Sequence, residues 1–461
     1  MIKGIDPFEI LKTALKKGGD FADIYFEETV NTSIVCEEDR IEKVISGRDV
    51  GCGIRVIFDY KTAYGYTNDI SQKGLITLAE TVNQAVKKGE TERDIALTHK
   101  NISAGFFIKI PPHSIPLLEK VEIVNRANMA ARRTDKRVQQ VKVVYGDGAR
   151  RMAVINSEGA WAEEDKTSIL FFVNVVAVEG DVLQTGYEPV GGCMGIEILE
   201  DMPPEQIAET AARRAIILLN SRMATGGKMP VILSSSAGGT MIHEAIGHGL
   251  EADLSQQCLS VYSNKIGEQV ASPLITVIDD ATIPNKRGSF FFDDEGTKGQ
   301  KTVLVENGIL KGYMYDRLTA MKDGKRSTGN GRRESYLHRP IPRMTNTLIA
   351  PGKTGPQEII ASLEKGLLVK KMGGGQVNTV NGDFVFEVTE GYLIENGKIS
   401  EPVRGATLAG NGPKVLKDID MVGSDLGFGI GTCGKDAQGV PVSDAQPTLR
   451  IPEIVVGGDV R

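Results

Sequence analysis

Two histidines and a glutamate crowd into His243-Glu244-Ala-Ile-Gly247-His248, in a chain of 461 residues with only five histidines in all. Imidazole nitrogens are common ligands for divalent metals, and a carboxylate beside one of them can take a proton from water. The pattern H-E-x-x-x-H is one residue longer than the H-E-x-x-H of zinc proteases, whose histidines share one helical face. Five residues at 3.6 per turn rotate the second ring by ~140°. The imidazoles converge only where the helix admits an extra residue, as a π-type turn does. The spacing therefore predicts a π-bulge between Ala245 and Gly249, with Gly247, which lacks a Cβ, suited to the distortion. A chance pair of structural histidines is the alternative, and a regular α-helix through Gly249 would favour it.

A catalytic zinc takes three protein ligands and leaves a fourth position open. By residue type the third ligand is Glu251, Asp253, Cys258, His338 or Cys433. Glu251 and Asp253 follow the motif closely enough to act as ligand or as hydrogen-bond partner of one. Cys433 lies in the polar, glycine-rich Gly427-Phe-Gly-Ile-Gly-Thr-Cys-Gly-Lys-Asp436, whose backbone can bring a thiolate close to a metal. On residue type Cys433 ranks first and Glu251 next. Gly429 to Gly434 also matches the dinucleotide fingerprint G-x-G-x-x-G, but no apolar strand leads into it and no helical pattern follows, so no nucleotide is expected.

Other motifs read more blandly. Asp293-Asp-Glu295, Arg332, Arg333 and Arg343 read as solvated charge, although the acids could hold a cation and the arginines a peptide carboxylate. Gly373-Gly-Gly375 and Gly410-Asn-Gly412 read as turns, or as rims on which an extended peptide adds as a strand.

The elements that must position these residues form two blocks. Helical spacing marks Pro7 to Lys17, Leu75 to Lys87, Pro116 to Arg133 and Pro204 to Asn220. Period-two runs mark Ala22 to Val30, Ser33 to Glu37, Val50 to Phe58, Lys61 to Thr67, Gln139 to Val144, Arg151 to Asn156 and Thr167 to Val178, with turns at Gly47 and Asp59. Beyond Met223-Ala-Thr-Gly-Gly-Lys228, short strands and glycine turns dominate around the motif helix, with modest helices at Tyr315 to Lys322 and Gln357 to Lys365. The expected fold is α+β: an N-terminal mixed α/β-sheet domain, residues 1–222, then a Gly-rich antiparallel β domain, residues 223–461, carrying the H-E-x-x-x-H helix.

Composition narrows the function class. Hydrophobic residues make up 41% and charged residues 25%, which excludes disordered and fibrous classes. A net charge of -6 lacks the basic excess that nucleic-acid binding requires, so no such partner is expected. Five cysteines, with no C-x-x-C pair, suggest a reducing compartment rather than a disulfide framework. The N-terminal residues are broken by charge, and the longest apolar stretch, Ile169 to Val178, falls short of the ~20 residues a membrane span needs. A cytoplasmic protein without membrane association is expected.

The motif segment, His243-Glu-Ala-Ile-Gly-His-Gly-Leu-Glu-Ala-Asp253, resembles the metal motif of the TldD/PmbA family of zinc metalloproteases, also known as modulators of DNA gyrase. Asp293 to Thr297, Asn330 to Ser335, Arg343 to Thr347 and Gly431 to Asp436 resemble the family's other signature stretches, in the same order. The family pairs a motif-bearing with a motif-lacking subunit, and this chain is similar to the former. The resemblance implies zinc ligands His243, His248 and Cys433, with Glu244 as catalytic base. It also implies a peptide substrate and a dimer with a motif-lacking, PmbA-like subunit, a homodimer being the other possibility. The activity implied is hydrolysis of unfolded or flexible peptides. A structural zinc in a regulatory subunit, and a zinc amidase on small molecules, are the other readings.

Overall fold

The computed structural model describes residues 2, 4–86 and 101–459, and the side chains of 101–104 lie outside the description. The N-terminal sheet is built from β1 (Phe21–Glu37), β2 (Arg40–Phe58), β3 (Lys61–Thr67), β4 (Asn101–Gly105), β5 (Val138–Asn156), β6 (Trp161–Glu179) and β7 (Val182–Gly192). Its order is β3-β2-β1-β5-β6-β4, with β7 also on β6, and only the β4–β6 pairing is parallel. Gly47 lies inside β2, paired with Asn31, and the turn is instead at Glu38-Asp39. The expected break there is corrected: residues 40 to 50 have no buried face, so the apolar alternation that marks a strand is missing from them.

Side chains alternate across a strand, and that rule sorts the sheet into two faces. Even-numbered residues of β1 (Ile24, Phe26, Ile34) and odd-numbered residues of β5 (Val143, Tyr145, Ile155) lie under the helices α1 (Pro7–Ala14), α2 (Gln72–Gln84), α3 (Leu117–Thr134), α4 (Ile198–Asp201) and α5 (Pro204–Leu219). Lys87, the expected end of α2, lies outside the described residues. The opposite face, with Tyr25, Met152 and Val154, packs against Phe292 and Tyr336 of the C-terminal part.

The C-terminal part contains a six-stranded sheet and an eight-stranded one. In the larger sheet, Lys365–Val377 pairs with both Gly227–Leu233 and Asp383–Glu395, closing a ring of five strands into a small barrel. The other sheet ends on the strand Gly427–Lys435, which pairs on one side only, with Gln438–Gln446. Pairing is antiparallel except for three junctions in which the chain returns in parallel. The motif helix packs between the two sheets, and its Met241, Ile242, Ala245, Ile246 and Leu250 join the main apolar core. Burying a helix on all sides leaves its polar residues few directions, which fixes where the histidines point. Among the described residues no helix is long and apolar enough to cross a membrane.

Candidate metal centre

The motif helix begins as an α-turn at Thr240–Ile242 and then widens. Over His243–Gly247 it is a π-turn, in which the His248 N–H donates to the His243 carbonyl. A tighter 3-10 turn over His248–Leu250 follows. The extra residue sits two positions earlier than the spacing predicts, with the same effect on the rings. Their centroids lie 5.0 Å apart, with the planes at 88°.

Local contacts explain why this sequence tolerates the widened turn. Carbonyls that leave the regular ladder need other donors. Tyr262 Oη–H donates to the Ala245 carbonyl at 3.0 Å, and Ser260 Oγ–H to the Gly249 carbonyl at 2.6 Å. Gly247 is needed for space rather than dihedral freedom: its φ of -54° is ordinary, but a Cβ would stand 2.2 Å from Met344 Sδ. Gly412 abuts the same turn, where a Cβ would lie 2.7 Å from the Ala245 carbonyl oxygen.

Cys433 arrives from the strand Gly427–Lys435. His243, His248 and Cys433 each place one ligand-type atom within 4.8 Å of the others, and no other such trio occurs among the described residues. Cys433 Sγ lies 3.4 Å from His248 Nε2. Burial pushes the thiol up, but hydrogen bonding and charge from His243 and His248 outweigh it and bring Cys433 down to about 5. A thiolate is the form that binds soft metals. His243 Nδ1 is buried without a hydrogen-bond partner among the described residues, which suits an imidazole whose partner is not a protein atom. Two imidazoles and a thiolate, buried and converging, are a donor set suited to zinc.

The other third-ligand candidates lie elsewhere. Glu251 Oε2 accepts from His248 Nδ1 at 3.0 Å, on the far side of the ring from Cys433. Burial opposes its charge, yet Lys435 and His248 hold it down to about 2. Asp253 pairs with Lys435, Cys258 is exposed, and His338 Nδ1 lies 3.2 Å from Ser335 Oγ. Glu244 is half-buried on the π-turn and makes no hydrogen bond or ion pair among the described residues.

Several residues at the site escaped the sequence reading. Arg343 donates to the carbonyls of Cys433 and Gln438, and Arg332 to those of Met344 and Pro441, so both tie down the Cys433 hairpin. With Arg333 they are buried, which corrects the expectation of solvated arginines. Asp444 is buried beside the site, and burial together with the charges of Glu244 and Cys433 raises its carboxyl. Lys435, two residues after Cys433, had a signal, because alternate strand positions share a face. The glycine triplets are not turns: Gly373–Gly375 lies within the strand Lys365–Val377, with Gly375 against the Phe386 ring, and Gly410 also lies in a strand.

Comparison with known proteins fits this layout. Residues 22–88, 110–219 and 226–458 match in turn domain 1, the central domain and the C-terminal domain of the PmbA/TldA metallopeptidases. A metalloprotease TldD homolog of Haemophilus influenzae is 39% identical over 448 residues, covering 95% of this chain and 93% of the relative.

The chain belongs to the PmbA/TldD metallopeptidase family.

As a member it is a metallopeptidase, a hydrolase. A family member from Saccharolobus solfataricus, named a zinc metalloprotease TldD homolog, is 30% identical over 98% of this chain and 100% of its own length. The crystal structure of TldE from Thermococcus kodakarensis superposes with a TM-score of 0.76 at 20% identity, covering 98% of this chain and 100% of that one. At that identity the match speaks to the family fold.

Proposed function

We propose that this chain is a zinc-dependent peptidase in which His243, His248 and Cys433 hold the metal and Glu244 activates water. The observation that carries the reading is the convergence of those three donors at the turn that also carries Glu244, which makes no hydrogen bond or ion pair among the described residues. Bound zinc would supply Lewis acidity at the scissile carbonyl and make a nucleophile available at neutral pH. Glu244, on the same turn as two ligands, takes the proton from the attacking water and delivers it to the leaving amine. Glu251 keeps the His248 ring in one tautomer, with Nε2 toward Cys433. The arginines on the Cys433 hairpin hold the thiolate in reach.

The substrate is an unfolded or flexible peptide. The strand Gly427–Lys435 supports this, because it is the last strand of its sheet and carries Cys433, which puts a strand edge of the kind extended peptides add to next to the site. The functional unit is a dimer with a motif-lacking, PmbA-like subunit or with a second copy, and it works in the cytoplasm. Residues 1–222 and 223–461 act as the two domains of the subunit, and neither nucleic acid nor a membrane is a partner.

Glu244→Gln tests the proposal, with zinc content measured beside cleavage of a mixed peptide pool. Zinc should stay at one per chain while cleavage falls about 10²- to 10⁴-fold, the span of general-base contributions. Unchanged cleavage contradicts the peptidase reading and leaves a structural zinc, which has no use for a base beside its ligand.

A further inference from the structure

The zinc reading, on which this inference rests, leaves a mechanical question: what keeps donors from separate elements in register? Cys433 and His248 are separated by 185 residues in sequence. The histidines sit on a helix packed between sheets, whereas the cysteine sits on an edge strand that pairs with one other strand and contains four glycines, Gly427, Gly429, Gly431 and Gly434. Edge strands with few side chains to pack open more readily than buried helices. The hairpin arginines hold Cys433 to its own sheet but make no bond to the helix.

Lys435 makes that bond. It stands two residues past Cys433, and its Nζ donates to Glu251 Oε2 at 3.0 Å, Asp253 Oδ1 at 2.7 Å and the Pro342 carbonyl at 3.0 Å. An ammonium has three hydrogens, and each has an acceptor. Glu251 Oε2 is also the oxygen that holds His248 Nδ1. Glu251 is fully buried, and its other oxygen has no hydrogen-bond partner among the described residues, so His248 and Lys435 alone fix that carboxylate by hydrogen bonds. The result is a closed loop, from Cys433 along the strand to Lys435, across to Glu251, through the His248 ring and back to Cys433 Sγ.

We propose that Lys435 is a positioning residue for the metal centre: it clamps the cysteine-bearing edge strand to the carboxylate that orients His248, and so sets the spacing of two ligands it does not itself join. The role needs a compact ammonium serving three acceptors, which a planar guanidinium does not reproduce.

The test uses the full chain in three variants, Lys435→Met, Glu251→Leu and the double change. Zinc affinity is read by competition with a chromophoric chelator, and the cobalt-loaded proteins by their thiolate-to-metal charge-transfer band. Lys435→Met should weaken zinc binding about 10- to 100-fold, as loss of ligand-orienting partners does, and should shift or weaken the band. In the Glu251→Leu background, which has no acceptor for either bond, the same change should cost far less, because the loop is already open. Affinity within about twofold of wild type, with an unchanged band, would overturn the proposal. Should Lys435→Met not fold, Glu251→Leu carries the test alone, and an unaltered band there is equally fatal. A wild-type protein that shows no thiolate band would overturn the zinc reading itself.

Discussion

Two regions of this molecule bury charge, and they do it in opposite ways. Along the seam between the N-terminal sheet and the C-terminal part, Arg55 lies against Asp23 from its own sheet and, at 2.7 Å, against Glu295 from across the seam. Arg150 reaches Glu27 at 2.6 Å and Asp294 at 2.9 Å, while Arg317 N donates to Glu295 and Gly331 N to Asp293. Each of these carboxylates meets a cation, a hydroxyl or a backbone N–H, although single atoms such as Asp23 Oδ1 and Arg317 Nε keep no hydrogen-bond partner among the described residues. The run Asp293–Glu295, expected as a solvated loop, is buried because it supplies half of this fastening. At the metal centre, among the described residues, His243 Nδ1 lacks a hydrogen-bond partner, Glu244 is unpaired, and the thiol is poised to ionise. Buried carboxylates set against cations fasten two parts of a fold, whereas unpaired donors of metal-ligand type converging on one point suit a ligand.

Mutations can break that contrast. Cys433→Ala should have the largest functional effect, with zinc content falling to background and cleavage lost. The metal-free fold should move by no more than about 1 kcal/mol in urea unfolding, since only a small thiol is removed. Full zinc occupancy would transfer the third ligand to another residue. Arg55→Met should do the reverse. It leaves two buried carboxylates facing each other and should cost about 3–5 kcal/mol, while the protein that remains folded binds zinc normally. Equal damage to zinc binding would mean that seam and site are one unit.

A third effect concerns pH. Asp316, buried beside Glu295, has its carboxyl raised to about 7, first by burial and then by the Glu295 charge. A folded-state value above the unfolded one means that the folded protein holds a proton the unfolded chain has released. Unfolding free energy therefore falls as pH rises from about 4 to 7, then levels off. Asp316→Asn, which keeps the acceptor for Thr319 N, should lack that decline. Parallel stability curves for the two proteins between pH 5 and 8 would contradict the assignment.

The sequence revealed the site better than its surroundings. The five-residue step from His243 to His248 demanded a widened turn because helical pitch is fixed, and the turn is there. The helices of the first part were legible because one apolar face repeats every 3.6 residues. The long β2 was not, since residues 40 to 50 bury neither face and their pairing with β1 rests on backbone hydrogen bonds, which leave no apolar alternation in the sequence. Arg332, Arg333 and Arg343 were misjudged for a related reason. Their burial depends on carbonyls brought in by other strands, and arginine is exposed unless such partners exist. Lys435 stood in view, but its two carboxylate partners could be assigned only once the strand lay against the motif helix.

X-ray absorption at the zinc edge of the purified protein tests the central claim most directly. Two nitrogens at about 2.0–2.1 Å and one sulfur at about 2.3 Å, with the sulfur lost in Cys433→Ala, is the result expected here. A zinc shell of nitrogen and oxygen alone, or a sulfur signal that survives that substitution, would contradict it.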